Sequence, residues 1–175
     1  MGCKRILIYI ITTLIAATAT AQKRKLKFNS FNSAGIVAGE NGVYPVIESI
    51  NGFQERDWFT GIGIGIDYYP NLRSVPLFID VRKNIYKNFF INIDAGYNFP
   101  WVEEKYKITE ISKFYGGLFY ELNAGYKIIF KKCPDFIVEA GYSYKNLKET
   151  RDYITYEEIF NYKMRRIIIK IGIVL

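Results

Sequence analysis

The sequence contains no histidine. Histidine is the commonest general base at neutral pH and the commonest metal ligand, so Ser-His-Asp hydrolases, Cys-His proteases and zinc hydrolases are disfavoured at once. Cysteine is nearly missing as well, with only Cys3 and Cys133. Leu and Ala, which helices prefer, number 9 each, and four of the alanines fall within the first 21 residues. Against them stand 27 Ile, 15 Tyr and 13 Phe, which suit a pleated, half-buried strand. That imbalance argues against a helical bundle and a doubly wound α/β fold. Beyond the first residues no window stays apolar for 18 positions, so no transmembrane helix is expected. A length of 175 residues accommodates one domain.

The N-terminus has its own pattern. Lys4 and Arg5 precede an apolar run over 6–17, and Ala19-Thr20-Ala21 stands just before Gln22-Lys23-Arg24-Lys25. A basic start, an apolar segment and small residues at the cut are the three parts of a secretory signal peptide. Cleavage after Ala21 is therefore expected. A membrane anchor would need about 20 apolar residues, and a lipoprotein signal would need a cysteine at the cut rather than at position 3. Losing Lys4 and Arg5 lowers the net charge from +7 to +5 and leaves Cys133 as the sole thiol, so no internal disulfide framework is possible.

What recurs in the rest is alternation at period 2. Thr60, Ile62, Ile64, Ile66 and Tyr68 share one face of a strand whose other face is Gly61, Gly63, Gly65 and Asp67. Ile167, Ile169, Ile171, Ile173 and Leu175 alternate with Arg166, Ile168, Lys170, Gly172 and Val174. Breaking the chain at turn signals predicts eight strands, over 33–39, 43–53, 58–69, 75–85, 89–101, 114–130, 136–145 and 163–175. The second is the least regular, interrupted by Pro45 and Gly52. A partial repeat runs through three of the others: Asp94-Ala95-Gly96-Tyr97, Asn123-Ala124-Gly125-Tyr126 and Glu139-Ala140-Gly141-Tyr142. In each, the polar residue and the glycine share a face, so the strands have the same sidedness, as a closed meander requires.

Alternation does not say which face is outside. A soluble lipocalin-type barrel turns its apolar face inward, and an outer-membrane barrel inverts the pattern. Three features favour inversion. The polar face mixes glycines with Asp67, Asp80, Arg82, Asp94, Glu121, Lys127, Glu139 and Lys170, joined by Lys145, which suits a crowded lumen better than a water-facing surface. Aromatics gather at strand ends: Trp58, Phe59, Tyr86, Phe89, Phe130 and Phe136 at one set, and Tyr68, Tyr69, Phe99, Trp101, Phe114, Tyr115, Tyr142, Tyr144 and Tyr162 at the other. Two such girdles flanking an apolar band mark a membrane barrel. Connections also alternate between short ones and longer ones, the longest spanning 102–113 and 146–162. The expected organisation is a signal peptide over 1–21, a basic periplasmic tail over 22–32 and a barrel over 33–175.

The glycine strand 58–69, the following Val75-Pro76-Leu77-Phe78-Ile79-Asp80-Val81-Arg82, the Ala-Gly-Tyr strands and the final strand resemble the small outer-membrane β-barrel proteins of Gram-negative bacteria, the OmpA/OmpX-like class. The resemblance implies an all-β fold, an eight-stranded antiparallel up-and-down transmembrane barrel with a filled polar lumen and both termini in the periplasm. It implies partners in outer-membrane lipid and in the insertion machinery, and a surface or envelope protein contacted by the loops. It carries no catalytic residue, no cofactor, no metal and no nucleic acid. Such barrels commonly end in Phe or Trp, which the insertion machinery reads; this chain ends in Leu175. The function expected is a non-enzymatic structural or adhesive role. The alternatives are a periplasmic lipocalin-like barrel with a small apolar ligand and, more weakly, a lipid-modifying barrel enzyme. Opposite charges in the lumen are read as mutual neutralisation, because unpaired buried charge is costly.

Overall fold

The computed structural model describes residues 26–40, 42–70, 72–102, 112–131, 133–153 and 156–175. The expected signal peptide, its cleavage site and the first part of the tail lie outside them. The strands are β1 (Lys27–Gly39), β2 (Gly42–Glu55), β3 (Trp58–Tyr68), β4 (Arg73–Tyr86), β5 (Phe89–Trp101), β6 (Ser112–Tyr115), β7 (Gly117–Ile128), β8 (Asp135–Asp152) and β9 (Glu157–Val174). All pairings are antiparallel. Each barrel strand pairs with the next, β5 passes to β7, and β9 returns to β1 through the ladder from Phe31↔Val174 to Ala38↔Ile167. The result is a closed eight-stranded up-and-down barrel, which leaves no exposed sheet edge along its wall. The final residue is bound in: the Leu175 and Ser30 backbones exchange two hydrogen bonds of 2.9 and 3.0 Å.

Three details differ from the sequence expectation. The first strand begins at Lys27, so 27–32 belong to the barrel and not to a tail. The strand expected over 114–130 is broken at Gly116 into β6 and β7, and it ends at Ile128. The segment 146–162, expected as a long loop, is mostly strand. There β8 and β9 continue as a hairpin from Asn146↔Lys163 to Asp152↔Glu157, closed by a Tyr153 N–H to Tyr156 carbonyl hydrogen bond of 2.9 Å. The short β6 pairs with its near strand, from Ser112↔Arg151 to Tyr115↔Lys148, so a three-stranded sheet rises past the barrel wall at the end away from the termini.

The faces sort by parity. Ile62, Ile64, Ile79, Ile93 and Ile171 are exposed on the outer wall, while Asp67, Asp80, Asp94 and Glu121, on the opposite parity, are fully buried inside. This is the inverse of a water-soluble barrel. The hairpins β2–β3 and β4–β5 turn through Arg56-Asp57 and Lys87-Asn88, with Arg56 (φ 53°) and Lys87 (φ 51°) in the left-handed region. Two-residue hairpin loops need positive φ to match the strand twist. Neither site carries the usual Gly or Asn at its first position, yet both turns fall in the breaks expected between the strands 43–53 and 58–69 and between 75–85 and 89–101.

Candidate functional site: the charged lumen

Inward-facing residues fill the barrel with two apolar clusters and an ionic network between its walls. One cluster contains Phe31, Phe59, Phe78, Phe90, Phe119 and Ile137, and the other Val37, Val46, Tyr69 and Ile168. Glycine makes room for these rings. A Cβ on Gly63 would lie 2.3 Å from the Phe78 ring, and one on Gly141 would lie 2.2 Å from Asn123 Oδ1. The polar-Ala-Gly-Tyr repeat thus has a physical reading: its polar residue enters the lumen, and its glycine clears space for the neighbouring strand, for its backbone at Gly96 and Gly141 and for the Phe90 ring at Gly125.

The network is built on ion pairs that cross the lumen. Lys145 on β8 binds Asp67 on β3, and the Tyr69 hydroxyl donates to the same Asp67 Oδ2 at 2.7 Å. Arg82 on β4 binds Asp80 at 3.0 Å on its own strand and reaches Glu139 on β8. Its guanidinium also lies 4.2 Å from the Phe31 ring centroid and 5.3 Å from that of Phe90. Lys170 on β9 joins Glu48 on β2 at 2.5 Å, Glu121 on β7 at 3.1 Å and Glu139 at 3.6 Å. Amides complete the arrangement. Asn92 Nδ2 donates to Asp80 at 3.3 Å and to Asp94 at 3.1 Å, and Asn123 Nδ2 to Asp94 and Glu121, each at 3.4 Å.

Asp80, Asp94 and Glu121 are direct cross-strand neighbours on β4, β5 and β7. Like charges in such a row repel, and Asn92, Asn123, Arg82 and Lys170 are placed to offset this. The arrangement ties strands from different sides of the barrel together. Near the mouth beside the termini, the space lined by Phe31, Phe59, Arg82, Phe90 and Lys127 is about 10 Å³, room for roughly one water. Among the described residues no group of three or more Asp, Glu or Cys side chains has the geometry of a metal centre.

The structure brings together Asp67, Asp80, Arg82, Asp94, Glu121, Glu139, Lys145 and Lys170. Lys127 stands apart, half-buried at the mouth beside the termini. The sequence reading missed Glu48, because Pro45 and Gly52 obscured the alternation of its strand. Two of the girdle assignments are corrected. Phe59 and Tyr69 are buried at 3% and 6% exposure and point into the lumen, whereas their neighbours Trp58 and Tyr68 face outward. Adjacent strand residues take opposite faces, so a girdle cannot hold both members of either pair. Phe99, Trp101, Tyr115 and Tyr142 are exposed on the outside, and Tyr144 is half-buried there, stacked on Tyr120 with centroids 5.0 Å apart.

The chain is similar to the solid-state NMR structure of outer membrane protein AlkL in DMPC lipid bilayers, with a TM-score of 0.54 over 84% of this chain and 87% of that one, at 9% identity. The fold is that of a small outer-membrane β-barrel. Neither a family model nor a curated protein matches the sequence.

Proposed function

We propose that the mature chain resides in the outer membrane as a non-enzymatic barrel, with its termini in the periplasm and its β6–β8–β9 sheet on the cell surface as a contact surface for another envelope or surface protein. One observation carries the reading: the wall is inverted, with isoleucines exposed outside and carboxylates at zero exposure inside. Such a wall belongs in hydrocarbon, where every backbone group must be paired within the barrel. The lumen's ion pairs act as a core, so the part left to meet partners is the protruding sheet with its exposed Tyr153, Tyr156 and Ile159. A soluble barrel for a small apolar ligand would need an open apolar cavity inside, and this lumen is filled by packed rings and ion pairs.

Fractionation tests the location. The protein should be recovered in the sarkosyl-insoluble fraction and should migrate differently on gels with and without boiling. Ile64→Arg, on the outer wall, should lower folding stability in bilayers by about 2–4 kcal/mol, the cost of a cation near the bilayer midplane. Recovery of the protein as a detergent-free periplasmic monomer would sink the proposal.

A further inference from the structure

Arg166 differs from the other buried cations. Arg82, Lys145 and Lys170 each sit on carboxylates. Arg166 is 9% exposed, and its Nε and Nη1 are sealed from solvent without a hydrogen-bond partner among the described residues. Two aromatic faces hold it instead, with Tyr69 at 4.7 Å and Tyr44 at 5.2 Å from the guanidinium carbon. Cation–π contact positions a guanidinium but leaves its donors unused.

The surroundings supply a place for an anion beside this charge. The β1–β9 ladder ends at Ala38↔Ile167, where β1 turns back and β9 rises on alone beside β8. Along this freed edge a niche of about 260 Å³ is lined by Glu40, Lys163, Met164, Arg165 and Arg166. Consecutive strand residues normally point to opposite faces. Arg165 and Arg166 line one niche because it lies at the strand's edge, where side chains from both faces reach it. Lys163 and Arg165 are exposed, so the niche has one fixed cation and two adjustable ones, with Glu40 as its acidic wall. Arg165 pairs across to Tyr144, in the outer aromatic belt, the depth at which lipid headgroups lie.

We propose that this niche is a binding site for a phosphate group, either free or on a lipid headgroup. Three cationic side chains around one small space suit a tetrahedral dianion with several acceptor oxygens better than a carboxylate with two. Lys163 and Arg165 donate to the phosphate, and Arg166, whose Nε and Nη1 are sealed from solvent, adds its fixed positive charge behind them.

The test uses the full mature chain in dodecyl maltoside, whose headgroup is uncharged, titrated with inorganic phosphate by calorimetry. Saturable one-site binding is expected. Arg166→Gln should weaken it by about tenfold or more, as removing one partner of a close charge pair does. The double variant Lys163→Gln/Arg165→Gln alters only exposed side chains and should weaken binding similarly even if the Arg166 variant folds poorly. Glu40→Gln should tighten binding, and Lys83→Gln, far from the niche, should leave it unchanged. A parallel arm compares nanodiscs of phosphatidylcholine with and without phosphatidic acid, following the lipid phosphorus resonance. Binding of inorganic phosphate that the niche substitutions weaken assigns a free anion. A phosphatidic acid signal that they abolish, without binding of inorganic phosphate, assigns a headgroup. No binding in either arm, or binding that survives the Lys163 and Arg165 substitutions, overturns the site. The micelle arm stands whatever membrane holds the barrel.

Discussion

Lys145 and Asp67 meet inside the barrel although their strands, β8 and β3, lie on opposite sides of the eight-strand ring. The pair is fully buried, and the Tyr69 hydroxyl adds a third partner. Neither charge has water to retreat to, so the value of the pair depends on both members being present. Asp67→Ala leaves a buried, uncompensated ammonium and should cost about 3–5 kcal/mol. Replacing both, as Asp67→Leu/Lys145→Met, should recover most of that loss, because a well-packed apolar pair of similar volume substitutes adequately for a buried ion pair. Urea unfolding in lipid vesicles, followed by the gel shift of the folded barrel, measures both. Single and double variants of equal stability would show that the pair is solvated.

The packing of Phe78 against Gly63 predicts a second outcome. A methyl group at position 63 would fall inside van der Waals contact with the ring, and the Ile50 side chain stands 3.0 Å away on another side. Gly63→Ala should therefore destabilise by about 1–3 kcal/mol through overpacking. Phe78→Leu in the same chain should relieve part of this, since removing ring atoms opens the space that the methyl group needs. The same unfolding measurement decides it. Additive losses in the double variant would mean that residues 63 and 78 do not compete for volume.

These two relationships also show how much the sequence disclosed. Strands β3, β5 and β9 were legible because isoleucines repeat at period 2 against glycines and charges, and the pattern fixed their lumen residues as well. The misplaced Phe59 and Tyr69 came from reading aromatics by position along the strand, when parity decides the face. The hairpin over 146–162 was hidden for another reason. Charged residues occupy both of its faces there, so it has no hydrophobic rhythm, and its pairing rests on the backbone ladder and on β6. Arg166 was visible only as a polar member of an alternating strand. Its lack of an acceptor is a property of the assembled barrel.

In that protruding hairpin, Glu149 accepts from Arg151 Nε at 2.6 Å and from the Tyr162 hydroxyl at 2.7 Å. Burial pushes its carboxyl up, but these two donors outweigh it and hold the group below its ordinary value of 4.5. A depressed folded value means that the carboxylate stabilises the hairpin fully above about pH 4.5, and that this contribution fades as pH falls through the lower folded value. Amide exchange across the β8–β9 hairpin should therefore accelerate below that pH while the barrel ladders stay protected. Glu149→Gln should exchange faster at neutral pH and lose the acid-dependent step. An unchanged acid profile in the variant would place the sensitivity elsewhere.

The last prediction concerns orientation. Eight crossings put the start of β1, the end of β9, the β2–β3 and β4–β5 turns and the connection holding Cys133 at one end of the barrel, and the Tyr153–Tyr156 turn at the other. The termini are expected in the periplasm, so Cys133, an exposed free thiol, should face the periplasm and the hairpin tip should face the medium. A thiol reagent that does not cross the outer membrane separates the two ends. On intact Gram-negative cells the wild-type protein should remain unlabelled at Cys133 and should label once the cells are lysed. The variant Cys133→Ser/Tyr156→Cys should label on intact cells, because position 156 is exposed at the tip. Cys133 labelled on intact cells with position 156 protected would mean that the barrel is inserted the other way up, and the protruding sheet would then have to find its partner in the periplasm.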